Sequence, residues 1–410
     1  MRLGGYTRLS VNKKPIITYK GVFLMNKNIT DSVVYIGVDD KSIDLFESQY
    51  DVPNGVSYNS YLIKDEKCAV MDSVDSRETY KWLENLEKAL DGRIPDYLVV
   101  QHMEPDHSGS IKILADKYPN MKIVGNAKTF VMMSQFFDFE LTDRTVTVKE
   151  GDTLELGKHT LNFVMTPMVH WPEVMMTYDA ADKIFFSADA FGKFGTLDTD
   201  EDWACEARRY YFNIVGKYGV QVQSALKKVS SLEINTICPL HGPILTENLN
   251  YYIDKYNTWS SYEPEDRGIV IAYASIHGNT GEAARKFAEI LKSKGAEKVS
   301  VFDLARDDMA EVIEDSFRYD RLVLAGASYD GGVFPCMEDF LNRLAHKNFK
   351  KRTVAIIENG TWAPSAARAM KAIVETMKDI TLCENTITIK STLKESDIPG
   401  LEKIADELLK

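Results

Sequence analysis

The chain has 410 residues, of which 44% are hydrophobic and 27% charged, with a formal net charge of −12. This length exceeds one ordinary hydrophobic core and predicts two domains, and the acidic balance argues against nucleic-acid or anionic-membrane partners. No apolar run reaches the ~20 residues that cross a bilayer. Residues 1–26 lack the apolar segment of a signal peptide, so we expect a cytoplasmic protein with a poorly ordered N-terminal extension and Met25 as an alternative start.

The pattern of residues 27–250 predicts many short strands with few helices. The strand-like runs are Ser57–Ile63, Ala69–Asp72, Tyr97–Val100, Lys122–Val124, Thr160–Met165, Val174–Tyr178 and Lys183–Ser187, and the helical ones are Glu78–Leu90, Ser110–Lys117 and Gln221–Ser231. This balance predicts two sheets packed face to face under helices.

Residues 251–267 begin as a helix and end in a polar stretch with Pro and Gly, which predicts a linker. From 268 to 410 the pattern changes to regular alternation. Strands are predicted at Ile269–Ala274, Val299–Phe302, Arg321–Ala325, Thr353–Ile357 and Thr386–Ile389, and helices at Gly281–Lys294, Met309–Asp315, Met337–Leu344, Ala366–Met377 and Gly400–Leu409. Continuous apolar strands separated by helices predict a doubly wound parallel sheet, covered on both faces.

The cysteines are odd in number and contain no CxxC pair: Cys68, Cys205, Cys238, Cys336 and Cys383. This argues against a disulfide framework and against a thiolate-bound zinc or rubredoxin-type iron centre. We expect most of them to be small buried hydrophobic residues in a reducing compartment.

A dense group of metal-type side chains follows the predicted strand Tyr97–Val100. Within QHMEPDHSG the candidates are His102, Glu104, Asp106 and His107. On an extended loop at a strand's end, such side chains can turn toward one point and hold more than one metal ion. The competing interpretation is a polar turn in which Asp106 or Ser108 caps the next helix. Capping does not account for both histidines together with Glu104.

Three more candidates follow strands later in the chain, namely His170, Asp189 and His241. Each alone is typical of an ordinary loop residue or turn former, but together they follow the first cluster in a consistent order. His159 and His346 lie in a Gly-Lys-His turn and at a helix end, and we expect both at the surface.

This order resembles the metallo-β-lactamase superfamily, whose αββα sandwich carries a two-metal site at its strand ends. Hydrolytic zinc members usually have histidine where this chain has Glu104. A carboxylate makes the site more oxygen-rich, which favours iron or manganese over zinc. The substitution therefore favours dioxygen or related redox chemistry over hydrolysis.

Small and hydroxyl residues follow the strand Ile269–Ala274 in the segment SIHGNTG, at the start of a predicted helix. Such a loop can bind an anion through backbone N–H groups, hydroxyls and the helix dipole. It matches neither GxxxxGK[ST] nor GxGxxG, and an ordinary βα turn is the competing interpretation. The loops GASYDGG and ENGTWA follow two further strands, and each carries an aromatic residue that either stacks on a flat ring or packs on its own domain.

Together these loops resemble flavodoxin, with a phosphate loop of the S/T-x-x-G-N-T kind and two loops around the isoalloxazine of FMN. The resemblance implies FMN contacts at Ser275, His277, Gly278, Asn279, Thr280, Ser328, Tyr329, Asp330, Gly331, Asn359, Gly360, Thr361 and Trp362.

A β-lactamase-like domain followed by a flavodoxin-like domain resembles a flavodiiron protein (A-type flavoprotein). The resemblance implies one iron held by His102, Glu104 and His170, a second held by Asp106, His107 and His241, and Asp189 bridging the two. It also implies reduction of dioxygen to water or of nitric oxide to nitrous oxide, with electrons passed through FMN. The expected partners are a separate rubredoxin-like electron donor and a second copy of the chain, in a head-to-tail homodimer or a dimer of dimers.

Two alternatives remain at this point: a two-zinc hydrolase fused to a flavin domain, and a non-catalytic flavin electron carrier or redox sensor. The sequence does not distinguish dioxygen from nitric oxide as the substrate.

Overall fold

The computed structural model describes residues 28–138 and 143–410. The expected N-terminal extension and Met25 lie outside the described residues. Every helix within these ranges is too short or too polar to span a bilayer.

The part of the chain before residue 261 contains the following strands and helices. The strands are β1 (Val33–Tyr35), β2 (Val38–Asp40), β3 (Leu45–Phe46), β4 (Tyr50–Asp51), β5 (Val56–Tyr58), β6 (Tyr61–Lys64), β7 (Cys68–Met71), β8 (Tyr97–Val99), β9 (Lys122–Gly125), β10 (Thr145–Thr147), β11 (Thr153–Glu155), β12 (Thr160–Met165), β13 (Met175–Asp179), β14 (Ile184–Phe186) and β15 (Thr236–Cys238). The helices are α1 (Thr79–Leu90), α2 (Pro105–Ser108), α3 (Ile111–Lys117), α4 (Ala127–Phe136), α5 (Trp203–Tyr210), α6 (Gly219–Val229) and α7 (Leu249–Ser260), and a π-helical turn, Tyr211–Val215, continues α5.

Eleven of these strands form two mixed sheets that pack face to face, and β2 with β5 and β3 with β4 form two small two-stranded sheets. The first has the order β1-β6-β7-β8-β9-β10 and the second β11-β12-β13-β14-β15. Inward-facing side chains of both sheets, including Val99, Phe163 and Phe186, form one buried cluster. The predicted sandwich is confirmed.

The second part is a parallel sheet between helices. Its elements are β16 (Asp266–Ala274), α8 (Asn279–Ser293), β17 (Val299–Asp303), α9 (Met309–Arg318), β18 (Tyr319–Tyr329), β19 (Gly332–Val333), α10 (Pro335–His346), β20 (Arg352–Asn359), α11 (Ala366–Val374), β21 (Ile380–Ile389) and α12 (Ile398–Leu408). The order β17-β16-β18-β20-β21 is that of flavodoxin-like sheets. Ile269 and Ile271 lie in one apolar cluster, whereas Val270 and Ala272 lie in another. Both faces are therefore covered, as predicted.

Helices α4 and α5 and several short strands were not predicted from the sequence. Only the end of β21 was predicted, because this edge strand alternates buried and exposed residues and has no continuous apolar run. Residues 251–267, expected as a linker, begin inside α7, whose Tyr256 and Trp259 are buried in the core. The domain boundaries stay predictions.

The prediction that His159 lies at the surface is wrong. Its side chain is 5% exposed, and its Nδ1 lies 2.8 Å from Oδ2 of Asp179. Its backbone N–H also donates to Asp65 at 2.7 Å. These bonds turn the ring inward against the end of β13. His346 is exposed, as predicted.

The two parts of the chain are joined through α5 and the π-helical turn. Arg208 of α5 is 2% exposed, and its Nε lies 2.7 Å from Oε1 of Glu314 on α9. The ring of Phe212 stacks on that of Phe317 with centroids 4.2 Å apart. Because a buried charge is stable only with its partner, Arg208 and Glu314 fix how α5 sits against α9.

We expect Arg208→Ala to lower the free energy of unfolding by about 3–5 kcal/mol, because it leaves the buried Glu314 carboxylate unpaired. Arg343→Ala is the control, since Arg343 pairs with Asp339 where their side chains are 38% and 54% exposed. The control should change stability by no more than about 0.5 kcal/mol. Urea unfolding of both variants measures the difference, and equal effects would contradict the prediction.

Candidate metal centre

The loop after β8 is held in place by a buried carboxylate. Oδ1 of Asp72 accepts the backbone N–H of Gln101 at 2.7 Å, and its Oδ2 accepts the side-chain amide of Gln101 at 2.9 Å. The loop was expected to be extended throughout, but Pro105 begins the single helical turn α2. The fixed φ of proline favours this first helical position. Asp106 and His107 therefore come from a helical turn rather than from an extended segment.

The capping alternative for this loop is wrong. Helix α3 begins after Ser110, two residues beyond Ser108. The hydroxyl of Ser108 instead donates to the carbonyl of Met103 at 2.8 Å. Neither oxygen of Asp106 accepts a hydrogen bond within the described part of the chain.

The seven predicted metal-site residues come together in two adjoining groups. In the first, Nε2 of His102 and Nε2 of His170 lie 3.2 and 3.0 Å from the same oxygen of Glu104. The same two nitrogens lie 3.3 and 3.1 Å from Oδ2 of Asp189. All four side chains therefore point at one small space.

The second group is formed in the same way. Oδ2 of Asp106 lies 3.2 Å from Nε2 of His107 and 3.1 Å from Nε2 of His241. The other oxygen of Asp189, Oδ1, lies 3.2 Å from the same nitrogen of His107. Asp189 thus presents one carboxylate oxygen to each group.

The spacing and the unpaired atoms fit two metal ions. Ligand atoms about 2.1 Å from a metal in octahedral geometry are about 3.0 Å from one another, which is close to the distances within each group. Both oxygens of Asp189 are buried and accept no hydrogen bond from the described residues. A buried carboxylate without donors is costly unless a cation neutralises it.

Hydrogen bonds behind the imidazoles orient them. Nδ1 of His241 donates to the carbonyl of Ser57 at 2.8 Å, which leaves Nε2 unprotonated toward the site in the neutral ring. Nδ1 of His102 lies 2.8 Å from Glu173, which also accepts the backbone N–H of Met103 at 2.9 Å. Such carboxylate–histidine pairs are typical of metal sites.

The carboxylates and imidazoles of the site shift one another's pKa values. Burial alone would raise the pKa of Asp189, but the nearby histidines hold it well below its ordinary value. Burial lowers the pKa of His107, yet Asp106 and Asp189 outweigh it and raise the value to about 10. The carboxylates therefore attract positive charge strongly, whether from protons or from metal ions.

Sequence reasoning missed Glu173 and Tyr210. Tyr210 is 1% exposed, and its ring centroid lies 5.5 Å from that of His241. Burial and then the carboxylates of Asp189 and Asp106 raise its pKa well above the ordinary value, so the phenol keeps its proton. Glu173 follows Trp-Pro after His170 and could have been found as a nearby carboxylate, whereas nothing in the sequence pointed to α5.

The predicted flavin loops meet at the carboxyl edge of the second sheet. Ser275 accepts the N–H of Gly278 at 3.1 Å, directly before α8, and Gly278 has a φ of 94°. Ser328 accepts the N–H of Ser365 at 2.9 Å and so holds the start of α11. Tyr329 and Trp362 are 44% and 91% exposed.

A fourth loop, which the sequence reasoning did not include, joins this edge after β21. The side chain of Asn359 donates to the carbonyl of Ser391 at 2.8 Å, and the hydroxyl of Thr361 lies 2.8 Å from that of Ser391. The loop that carries Asn359 and Thr361 is thus held against residues after Ile389.

Comparison with known proteins supports both halves of this description. A family model described as ODP family beta lactamase matches residues 56–242. The anaerobic nitric oxide reductase flavorubredoxin of Aliivibrio fischeri is 31% identical over 355 residues, which are 82% of this chain and 70% of that protein.

Solved structures show the same fold over nearly the whole chain. The rubredoxin oxygen:oxidoreductase of Desulfovibrio gigas has a TM-score of 0.86 at 24% identity, covering 93% of this chain and 96% of its own. A variant of the flavo di-iron protein of Thermotoga maritima has a TM-score of 0.82 at 25% identity, covering 92% and 94%. With its β-lactamase-like and flavodoxin-like parts in the same order, the chain belongs to the flavodiiron protein family.

Proposed function

We propose that this protein is a flavodiiron oxidoreductase that reduces dioxygen to water, nitric oxide to nitrous oxide, or both. The observation that carries the proposal is the carboxylate of Asp189, which presents one oxygen to each of two ligand groups. The relative from A. fischeri is named a nitric oxide reductase and that from D. gigas an oxygen oxidoreductase. These names support both gases as candidate substrates.

In this proposal His102, Glu104 and His170 hold one iron, Asp106, His107 and His241 hold the other, and Asp189 bridges them. Bound there, a pair of ferrous ions would supply two electrons, as many as two nitric oxide molecules require, and reduced FMN would supply the further two that dioxygen requires to become water. Glu104 is the residue that favours iron, because hard oxygen ligands disfavour zinc relative to a histidine-rich site. A two-zinc hydrolase is therefore not favoured.

Protein residues supply the surroundings that this reaction needs. Tyr210 keeps the proton on its phenol oxygen beside the carboxylates of the site and can donate a hydrogen bond to negative charge that develops there. The rings of Trp171 and Phe46 pack against His102 and His241, with centroids 5.3 and 5.5 Å apart, and keep bulk water from that side.

The flavin loops would hold FMN. The start of α8, with Ser275, Asn279 and Thr280, suits the phosphate because backbone N–H groups and the helix dipole favour an anion there. The exposed rings of Tyr329 and Trp362 suit the flat isoalloxazine. The same proposal includes the remaining predicted contacts, which are His277, Gly278, Ser328, Asp330, Gly331, Asn359, Gly360 and Thr361.

We further propose that two chains associate head to tail, so that the flavin of one faces the metal centre of the other, and that dimers can pair again. A rubredoxin-type protein would be the electron donor, in keeping with the name of the D. gigas structure. The cytoplasm is the proposed compartment, since the five cysteines are free.

Anaerobic stopped-flow mixing of the reduced protein with each gas tests the function directly. We expect multiple turnovers with at least one gas, and metal analysis should find iron. Two zinc ions per chain without iron, or only slow oxidation of the flavin, would contradict the proposal and favour one of the two alternatives.

Replacing the phenol of Tyr210 tests its role as a hydrogen-bond donor. We expect Tyr210→Phe to lower kcat by about 10²-fold, the lower end for loss of one hydrogen-bond donor to developing negative charge, while iron content stays unchanged. Tyr251→Phe, at a tyrosine that is 37% exposed, is the control. An unchanged kcat in Tyr210→Phe would contradict this role.

Glu173 should affect metal affinity although it contacts the back of the His102 ring and is not itself one of the proposed metal ligands. We expect Glu173→Gln to weaken iron binding about 10–100-fold, because the amide orients His102 less strongly and no longer raises its basicity. Iron retention during chelator titration measures the change. Glu233→Gln, whose side chain is 73% exposed, should behave as the parent protein.

The head-to-tail arrangement can be tested by combining two different inactive variants in one dimer. Chains carrying Asp189→Ala and chains carrying Gly278→Val should each be inactive alone, because Val is strained at a φ of 94° in the proposed phosphate loop. Mixed dimers should regain part of the activity, since one pairing keeps an intact flavin facing an intact metal centre. No recovery after verified subunit exchange would contradict the arrangement.

A further inference from the structure

The fourth loop consists of residues 390–394, between β21 and the turn that leads into α12. The side-chain amide of Asn359, which is 8% exposed, donates to the carbonyl of Ser391 at 2.8 Å. The hydroxyls of Thr361 and Ser391 lie 2.8 Å apart, so that one donates to the other. Ser391 therefore contacts two of the residues that are predicted to bind FMN.

The backbone around Ser391 is arranged for these contacts. Ser391 has a φ of 70°, which is uncommon for a residue other than glycine and persists where the neighbouring structure holds it. In this conformation its carbonyl satisfies the buried amide of Asn359. The N–H of Gly360 donates to the carbonyl of Ile389 at 3.0 Å, and a Cβ on Gly360 would lie 2.9 Å from Oγ of Ser328. The loop after β20 is therefore held between the loop after β18 and the fourth loop.

The fourth loop also reaches the predicted phosphate loop. The hydroxyl of Thr392 lies 3.5 Å from Oδ1 of Asn279, the first residue of α8. On the opposite side, Oγ of Ser328 accepts the N–H of Ser365 at 2.9 Å, which joins the loops after β18 and β20. A series of contacts that passes through the fourth loop thus connects all three predicted flavin loops.

We propose that the fourth loop is part of the flavin site and that Ser391 is a positioning residue that sets the affinity for FMN. Ser391 acts through Asn359 and Thr361. A loop that is already held in its binding conformation loses less conformational entropy when the ligand binds, so its affinity is higher. The inference rests on the proposed function in taking FMN as the ligand of these loops.

The dissociation constant of FMN tests this role. Dilution of the full-length, flavin-loaded protein releases FMN, and the rise in flavin fluorescence gives the Kd. We expect Ser391→Ala to raise the Kd about fivefold, the effect of losing one neutral hydrogen bond. Ser396→Ala is the matched control, because Ser396 is an exposed serine in the turn before α12, and its Kd should equal that of the parent protein. If Ser391→Ala fails to fold, Ser391→Gly removes the same hydroxyl and adopts a positive φ without strain.

A second comparison separates positioning from a general loss of stability. If Ser391 acts through the hydroxyl of Thr361, adding Ser391→Ala to Thr361→Val should raise the Kd no further. Thr361→Ser keeps the hydroxyl, so the Kd of this variant should match that of the parent protein, and adding Ser391→Ala should again raise it about fivefold. A role in stability alone would lower the urea midpoint of unfolding to the same extent in both backgrounds.

The outcomes distinguish this inference from the proposed function. A parent Kd in Ser391→Ala, or the same rise in Kd in the Thr361→Val and Thr361→Ser backgrounds, overturns the positioning role and leaves the proposed reaction untouched. A parent protein that binds no FMN overturns both. If the parent protein binds FMN but consumes neither gas, the proposed function fails, and a Kd that rises as expected still supports the fourth loop as part of the flavin site.

Discussion

The arrangement of the first domain depends on the carboxylate of Asp189 and its two unpaired oxygens. A buried anion without hydrogen-bond donors is stable only beside positive charge. Three loops, after β8 of the first sheet and after β12 and β15 of the second, bring imidazoles and carboxylates to its two sides, and Asp189 itself follows β14. The face-to-face packing of the sheets is what allows loops distant in sequence to converge on one side chain.

This constraint explains why so many surrounding contacts are polar although the residues are buried. Asp72 anchors the first loop, Glu173 and the carbonyl of Ser57 orient two imidazoles, and aromatic rings close the remaining sides. Each polar contact fixes the orientation of a metal-site side chain or of its loop rather than burying apolar surface. A metal centre that must change oxidation state benefits from ligands whose orientation does not change with it.

Much of this could be predicted from the sequence, for identifiable reasons. The parallel sheet was predicted almost completely because its central strands are continuous apolar runs separated by amphipathic helices. The metal-site residues were found because their types are rare and their spacing is ordered. Helix α5 was missed because its polar residues, Arg208 and Arg209, face another domain rather than solvent. His159 was misplaced because its partner, Asp179, lies on a different strand. Tertiary pairing of this kind leaves no local pattern.

The turn from α5 into the π-helix has a consequence for how this chain can vary. Tyr210 faces the metal centre, and Phe212, two residues later, stacks on Phe317 of the other domain. Adding or removing one residue here would rotate one side chain relative to the other by about 100°. Either the phenol or the interdomain stack would be lost. We therefore expect this segment to tolerate substitutions but not changes in length. The number of residues between Tyr210 and Phe212 is fixed because each side chain contacts a different domain.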